Sequence, residues 1–186
     1  MAYVGLNAFM MPNGVLTIQS AHTTDAQEIL SFIRLAKSET DFLAQRPEEF
    51  NFTLQQEYNF IMEKLNNTKE LFLIARYNGI LVGIAVLASN GLYRCRHKGQ
   101  LGIMVLRNYW GQGIGRKLLD ILVKWADVNG IIKITLEVDA LNTRAINLYR
   151  AFGFIEEGYL KMDRCMEDGR FRDSLVMARF NPSVKL

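Results

Sequence analysis

The stretch that decides the fold is IMVLRNYWGQGIGRK, residues 103–117. It starts as an apolar strand, passes through a turn with glycine at 111, 113 and 115, and ends in the first turn of a helix. Glycine accepts backbone conformations that other residues avoid, so several main-chain N–H groups of the turn can point at one place. The helix adds the positive end of its dipole there. The sequence therefore predicts an anion cradle, suited to a phosphate or a pyrophosphate.

Regular patterns flank this turn on both sides. Residues 101–106 are predicted as a strand, and apolar residues then recur at helical spacing until Asn129 and Gly130 stop the helix. Residues 131–139 are predicted as the next strand. A strand, a helix and a strand of these lengths form a right-handed parallel crossover, which places the glycine turn at the carboxyl edge of the first strand. Ligands bind at such edges.

The rest of the chain is patterned almost throughout. Upstream we predict, in order, a strand over 15–20, a helix from capping boxes at Thr24 and Asp25 to Lys37, an irregular aromatic segment over 39–52, a helix from Thr53 to about Leu65, and a hairpin of 71–77 and 80–88 around Asn78-Gly79. Downstream we predict a helix over 143–151 ended by Gly153, and strands over 154–162 and 175–180 around a turn at 167–170. The predicted order is β, α, α, β, β, β, α, β, α, β, β.

Composition narrows the class of protein. A chain of 186 residues, 49% hydrophobic and 22% charged, fits one globular domain over residues 1–186. The net charge of +3 is too small to favour nucleic acid or an anionic membrane as the main partner, and no apolar run is long enough to span a bilayer. Cys95 and Cys165 are the sole cysteines, so we expect no disulfide framework, no metal site and a cytoplasmic location.

Three kinds of glycine-rich site compete for the turn. A nucleotide P-loop is excluded, because Lys117 follows Arg116 instead of glycine and Leu118 stands where a hydroxyl must hold magnesium. A dinucleotide fold needs G-x-G-x-x-G near the first strand of a parallel sheet with several crossovers, whereas this turn is spaced G-x-G-x-G. Glu137 or Asp139 could imitate the ribose-binding acid of that fold, so a nicotinamide-dependent oxidoreductase stays open. The third kind is an acyl-coenzyme A site.

Two segments carry a resemblance that favours the third kind. Residues 101–119, LGIMVLRNYWGQGIGRKLL, and residues 134–154, ITLEVDALNTRAINLYRAFGF, closely resemble the GCN5-related N-acetyltransferases. The tail over residues 157–179 resembles the branch that contains ribosomal-protein and amino-acid N-acetyltransferases. One departure is Trp110, where the family usually has Arg or Gln.

The resemblance implies a fold, an activity and a cofactor site. The fold is a three-layer α/β (α+β) domain whose mixed, mainly antiparallel sheet has helices on both faces and strands splayed around the cofactor. The activity is transfer of an acetyl group from acetyl-CoA to a primary amine, by direct attack in a ternary complex. The implied cofactor-binding residues are Ile103, Met104, Val105, Gly111, Gln112, Gly113, Ile114, Gly115, Arg116, Asn142 and Tyr149.

The resemblance also implies two catalytic residues. Tyr149 is the general acid for the departing thiolate, since its ordinary pKa of about 10 suits that transfer. Glu137 occupies a position where some relatives have a carboxylate base, acting directly or through water. Each residue has a plain structural alternative: Tyr149 as a core aromatic, Glu137 as a solvated carboxylate, and Asn142 as a helix cap.

Three further questions stay open in the sequence. A non-catalytic acyl-CoA sensor on the same scaffold would bind the cofactor without transferring anything. The amine acceptor is expected to enter beside residues 39–52, where Phe42, Phe50 and Phe52 line an apolar wall or belong to the core. The uncharged arm over residues 1–11 could order on a second subunit and make a homodimer.

Overall fold

The computed structural model describes residues 3–89 and 91–184 as one α/β unit. Its strands are β1 (Asn7–Met11), β2 (Gly14–Ser20), β3 (Leu71–Tyr77), β4 (Ile80–Ala88), β5 (Lys98–Val105), β6 (Lys133–Asp139), β7 (Ile155–Cys165) and β8 (Phe171–Phe180). Its helices are α1 (Ala26–Ser38), α2 (Leu54–Asn66), α3 (Ile114–Val128) and α4 (Thr143–Ala151).

The eight strands of the described residues form a single sheet in the order β1-β2-β3-β4-β5-β6-β8-β7. Strands β5 and β6 run parallel, joined by the predicted crossover through α3, and every other neighbouring pair is antiparallel. The predicted fold class, a mixed and mainly antiparallel sheet, is confirmed. A dinucleotide fold needs several parallel crossovers, so this sheet removes the structural basis of the nicotinamide alternative.

Helices cover both faces of the sheet, as expected for three layers. Successive residues of a strand point to opposite faces of the sheet. On one face, α3 and α4 pack against these side chains and form the larger core with them. On the other face α1 and α2 pack on the remaining positions, around Ile61, Phe72 and Ile74. One extra residue of β4 lies opposite the step from Ala75 to Arg76, and this bulge shifts the alternation along β4.

Local sequence signals account for several elements. Thr53 Oγ1 accepts the N–H of Gln56 at 3.2 Å while Gln56 Oε1 accepts the N–H of Thr53 at 2.8 Å, so the predicted capping box starts α2. Asn78 and Gly79 adopt φ values of +50° and +85°, as a two-residue hairpin turn requires. The predicted hairpin is confirmed at the predicted bounds of both strands.

The amino-terminal arm differs from the prediction. Residues 7–11 form β1, which pairs antiparallel with β2 across the turn at Pro12 and Asn13, so this part of the arm completes the sheet of its own chain. Of the remaining arm residues, 3–6 have no regular structure, and 1–2 lie outside the described residues. The turn-forming Pro-Asn-Gly run after residue 11 was the signal for this strand.

Strands β5 and β6 are paired at one end and apart at the other. Pairing joins Lys98–Gln100 of β5 to Lys133–Thr135 of β6 and then stops, although both strands continue. On its other side β5 stays paired to β4 as far as Val105. The carboxyl half of β5 therefore has a free edge toward β6, which is the expected splay.

Candidate active site

The glycine turn leads from the free end of β5 into α3. Gly111 and Gly113 have φ values of +81° and +82°, a left-handed conformation that disfavours other residues. A side chain at 113 would meet nothing within 4 Å, so the space above this residue is open. The first N–H groups of a helix have no partner inside the helix, and here they follow Gly113 directly. The predicted anion cradle is therefore open and carries main-chain donors.

Side chains of the turn hold it in place. Trp110 Nε1 donates to the carbonyl of Val105 at 2.6 Å, and Gln112 Nε2 donates to the carbonyl of Asn108 at 3.1 Å. The side chain of Ile114 is buried in the larger core. Gln112 and Ile114 can therefore serve an anion through their main-chain N–H groups, while Trp110 ties the turn to the last residue of β5.

Helix α4 lies against this turn. A methyl group at 115 would stand 3.5 Å from Leu148 Cδ2 and 3.9 Å from Ile103 Cδ1, which are ordinary contact distances, so Leu148 of α4 and Ile103 of β5 both lie next to the start of α3. Ile103 and Val105 pack in the larger core and Met104 in the smaller one. These three β5 residues thus turn their side chains to the two cores and leave main-chain groups at the edge facing β6.

Arg144, in the first turn of α4, was missing from the predicted site. Its guanidinium carbon lies 5.7 Å from the centre of the Trp110 ring, and Nη1 lies 3.8 Å from where a side chain at 111 would begin. No acceptor among the described residues pairs with this guanidinium. The predicted phosphate contact, Arg116, instead has its guanidinium carbon 5.6 Å from the Phe152 ring. The cradle therefore has two cations beside it, and Arg144 is the one over Gly111.

Tyr149 is buried in the larger core, with its ring centre 5.7 Å from that of Phe154. Only 7% of the residue is exposed, and its hydroxyl bonds to no atom of residues 3–89 and 91–184. Burial raises the pKa of the Tyr149 hydroxyl to about 12. The hydroxyl is consequently neutral at physiological pH, with a proton and no competing acceptor.

The other two predicted residues on this side have different surroundings. Glu137 is exposed on β6, two residues beyond the last residue that pairs with β5, while its neighbours Leu136 and Val138 are buried. Its carboxylate is therefore solvated and lies where the two strands diverge. Asn142 Oδ1 accepts the N–H of Ala145 at 3.2 Å and so caps α4. The capping role of Asn142 is confirmed, and its cofactor role stays a prediction.

A cavity of about 390 Å³ lies at the same end of the sheet. The lining residues come from the end of α1 and the segment after it, from the residues between β5 and the glycine turn, and from β8. They are Ser38, Glu39, Thr40, Asp41, Phe42, Arg107, Trp110 and Arg172. Of the three predicted wall residues, Phe42 lines this cavity. Phe50 is buried in the smaller core with Phe52 stacked on it at 5.3 Å, so those two do not line it.

Other kinds of site have no support in the described residues. Across residues 3–89 and 91–184, no three His, Cys, Asp or Glu side chains are grouped so that they could hold a metal ion. Within the same ranges no helix is long and apolar enough to cross a membrane.

The class that these features define is an α/β protein with a glycine turn, suited to an anion, beside a gap between two parallel strands. The family model described as "Acetyltransferase (GNAT) family" matches residues 32–154. The chain therefore belongs to this family, as the sequence resemblance indicated.

Known proteins similar to this chain are acetyltransferases. An N-alpha-acetyltransferase of Sulfurisphaera tokodaii is 31% identical over 153 residues, covering 77% of this chain and 83% of the relative. The acetyltransferase of GNAT family from Streptococcus pneumoniae superposes with a TM-score of 0.86 at 30% identity, covering 89% of this chain and 99% of that structure. The ribosomal protein bS18-alanine N-acetyltransferase of Escherichia coli is 38% identical over 76 residues, 41% of this chain. The chain spans about half of that relative's length, 51%.

Proposed function

We propose that this protein transfers an acetyl group from acetyl-CoA to a primary amine. The observation that carries the proposal is the open glycine cradle at the point where β5 and β6 part. Acetyl-CoA has a pyrophosphate, which suits main-chain N–H groups at a helix start, and an extended arm of amides, which suits a free strand edge. Family membership supports the same reaction.

The chain's own groups fit the two ends of that ligand. Main-chain N–H groups of residues 111–116 bind the pyrophosphate, with Arg144 and Arg116 adding positive charge beside it. The edge of residues 103–105 binds the amide arm. No side chain has to move out of the cradle for this, because the space over Gly113 is already open.

Acetyl-CoA supplies an activated thioester, and the residues around it move protons. The amine nitrogen forms a bond to the acetyl carbon, the carbon–sulfur bond breaks, and the products are an N-acetylated amine and the free thiol. Tyr149 holds a proton at its hydroxyl and gives it to the leaving sulfur, and the phenolate that forms takes a proton back from water before the next turnover. Glu137, which is exposed, accepts a proton from the amine directly or through water.

Thiol release from acetyl-CoA, measured against a panel of amines, tests this function. We expect saturable release with at least one amine and none without an acceptor. Saturable binding of acetyl-CoA with no release across the panel would contradict the proposal, because a non-catalytic acyl-CoA sensor gives that result. A protein that does not bind acetyl-CoA at all would contradict both functions.

We also propose a cellular location and an oligomeric state. A reducing cytoplasm fits the two cysteines, both of which are free. We propose a homodimer that forms through a surface other than residues 7–11, because those residues pair within their own chain. The proposed dimer surface is β7, an edge strand that exposes Ile155, Tyr159 and Met162. Sedimentation of the protein in solution tests the dimer.

A further inference from the structure

The cavity beside Trp110 is lined by charges of both signs that come from different elements. Glu39 and Asp41 lie on the segment that follows α1, whereas Arg107 follows β5 and Arg172 belongs to β8. The negative charges therefore belong to the segment after α1, and the positive charges belong to β8 and to the segment after β5. A ligand with one positive and one negative group can meet both of them at once.

Arg172 is held in a fixed position at this cavity. Its Nη1 lies 3.3 Å from Oδ2 of Asp139, a fully buried carboxylate, and its guanidinium carbon lies 5.9 Å from the Phe42 ring. Asp139 is also 3.6 Å from Arg164 Nη2, while Asp41 reaches Arg172 only at 3.8 Å. Arg172 and Arg164 thus lie beside the buried carboxylate of Asp139, and Asp41 pairs with Arg172 from the exposed side, so the charges of this corner are matched and Arg172 is held in place.

Arg107 provides a second, uncommitted cation. Its main-chain N–H donates to Glu39 Oε2 at 2.7 Å, which fixes both residues at the mouth of the cavity. The Arg107 side chain is exposed, and its guanidinium meets no acceptor within residues 3–89 and 91–184. A planar guanidinium binds a carboxylate through two parallel hydrogen bonds. An anionic group on a ligand therefore has an available partner here.

We propose that the acceptor in the proposed acetyl transfer, on which this inference rests, is a small zwitterion. Such a molecule has a carboxylate near its primary amine, as in a free amino acid. Arg107 binds the carboxylate, and Glu39, which lines the same cavity, attracts the amine. The volume of about 390 Å³ lies within the usual range for sites of small ligands, about 300–1,000 Å³.

Other acceptor classes fit this cavity less well. A polyamine carries only positive charge, so it would leave the Arg107 guanidinium without an anionic partner and would be repelled by it. An amino-acid amide or the amino terminus of a neutral peptide has the amine and lacks the adjacent carboxylate, which leaves Arg107 unpaired. The carboxylate should therefore be the group that separates good acceptors from poor ones.

Matched acceptors test this inference. The kcat/KM is measured with a series of free amino acids, with the amide of each one, and with spermidine, all at saturating acetyl-CoA. We expect the best free amino acid to exceed its own amide by about tenfold or more, as expected for a charge-assisted hydrogen bond. In Arg107→Gln that ratio should fall about tenfold, through a higher KM for the amino acid, and Arg107→Lys should recover part of it. Arg34→Gln, an exposed arginine on α1 outside the cavity, should keep the ratio of the parent.

Each outcome bears on one proposal or on both. A ratio of one or less, a preference for spermidine, or an unchanged ratio in Arg107→Gln overturns the zwitterion while leaving acetyl transfer in place. Release of no thiol with any of these acceptors or with the wider amine panel overturns acetyl transfer itself.

Discussion

Each face of the sheet has a buried ionisable side chain whose pKa is raised by burial, and the consequences are opposite. Tyr149 lies in the core under α3 and α4, where burial raises the pKa of its hydroxyl to about 12. Glu57 lies on α2 over the other face, where burial raises the pKa of its carboxyl from 4.5 to about 7. Tyr149 is neutral near pH 7 with or without this shift, whereas Glu57 titrates there.

The two pKa values differ in how they couple the stability of the fold to pH. A buried phenol keeps its proton over the whole physiological range, so it can serve chemistry and leave the free energy of unfolding unchanged with pH. A buried carboxyl with an unpartnered oxygen, as Glu57 Oε1 is among the described residues, couples the fold to pH instead. We expect the α3 and α4 face to serve the proposed reaction and Glu57 on the α1 and α2 face to give the fold a pH dependence.

The largest effect should come from Tyr149→Phe. Removing the hydroxyl takes away the proton for the leaving sulfur, so kcat should fall about 100-fold, the lower end for loss of a general acid. The KM for acetyl-CoA should change little. Steady-state kinetics measure both, with Tyr58→Phe, an exposed tyrosine of α2, as the control. Equal losses in kcat and in acetyl-CoA binding would show that Tyr149 acts through packing alone.

Glu57→Gln should reveal the pH dependence of the opposite face. The folded chain binds the Glu57 proton more tightly than the unfolded chain does, so this group's contribution to stability is complete below pH 4.5 and is lost as pH rises through 7. The variant does not titrate, and at pH 8 its free energy of unfolding should exceed that of the parent by about 2 kcal/mol.

Urea unfolding at pH 5 and pH 8 measures this difference. Glu63→Gln, at an exposed position of the same helix, should show no comparable change between the two pH values. An advantage of Glu57→Gln that is the same at both pH values would mean that the carboxyl does not titrate on folding.

Gly113→Ala and Gly130→Ala compare the two ends of α3. Both glycines have a left-handed backbone, with φ of +82° and +70°, so alanine should cost about 1–2 kcal/mol of stability at either position. Only residue 113 lies in the cradle. Its variant should also raise the KM for acetyl-CoA about tenfold, because the main-chain N–H groups reorient, while Gly130→Ala leaves that KM unchanged. A similar KM in both variants would remove the cradle from the binding site.

Arg144→Met should give the smallest effect, because the guanidinium is exposed to solvent. We expect the KM for acetyl-CoA to rise about fivefold, in line with one partly screened charge contact to a phosphate. The KM for S-acetylpantetheine, which has no pyrophosphate, should not change. Arg150→Met, at the other end of α4, is the matched control. An equal rise with the two donors would assign Arg144 to the folding of α4.

Sequence was sufficient where local chemistry decides the structure. Asn78 and Gly79 dictate the hairpin turn, and α4 has the predicted bounds because Asn142 caps its start and Gly153, with φ of +82°, ends it. The glycine turn was predicted in the same way. Its main-chain geometry depends on a few adjacent residues and little on the rest of the fold.

Features that depend on distant residues were not predictable in this way. Strand β8 begins at Phe171, four residues before the predicted start, because Arg172 finds Asp139 and Ser174 finds Arg164 across the fold. The predicted strand leaves out residues 171–174, since nothing in the local sequence shows the partners of Arg172 and Ser174. The same reason applies to the charged cavity and to the unpartnered carboxyl of Glu57.

The bond from Trp110 to the end of β5 gives the protein an internal optical probe. The chain has two tryptophans, and the second, Trp125, lies about three turns into α3, packed against the larger core. An indole that lines the cavity and supports Arg144 senses the solvent there, so its emission should shift when ligand displaces water. Replacing Trp125 by phenylalanine leaves one emitter, and occupancy of the site can then be followed by fluorescence without a label.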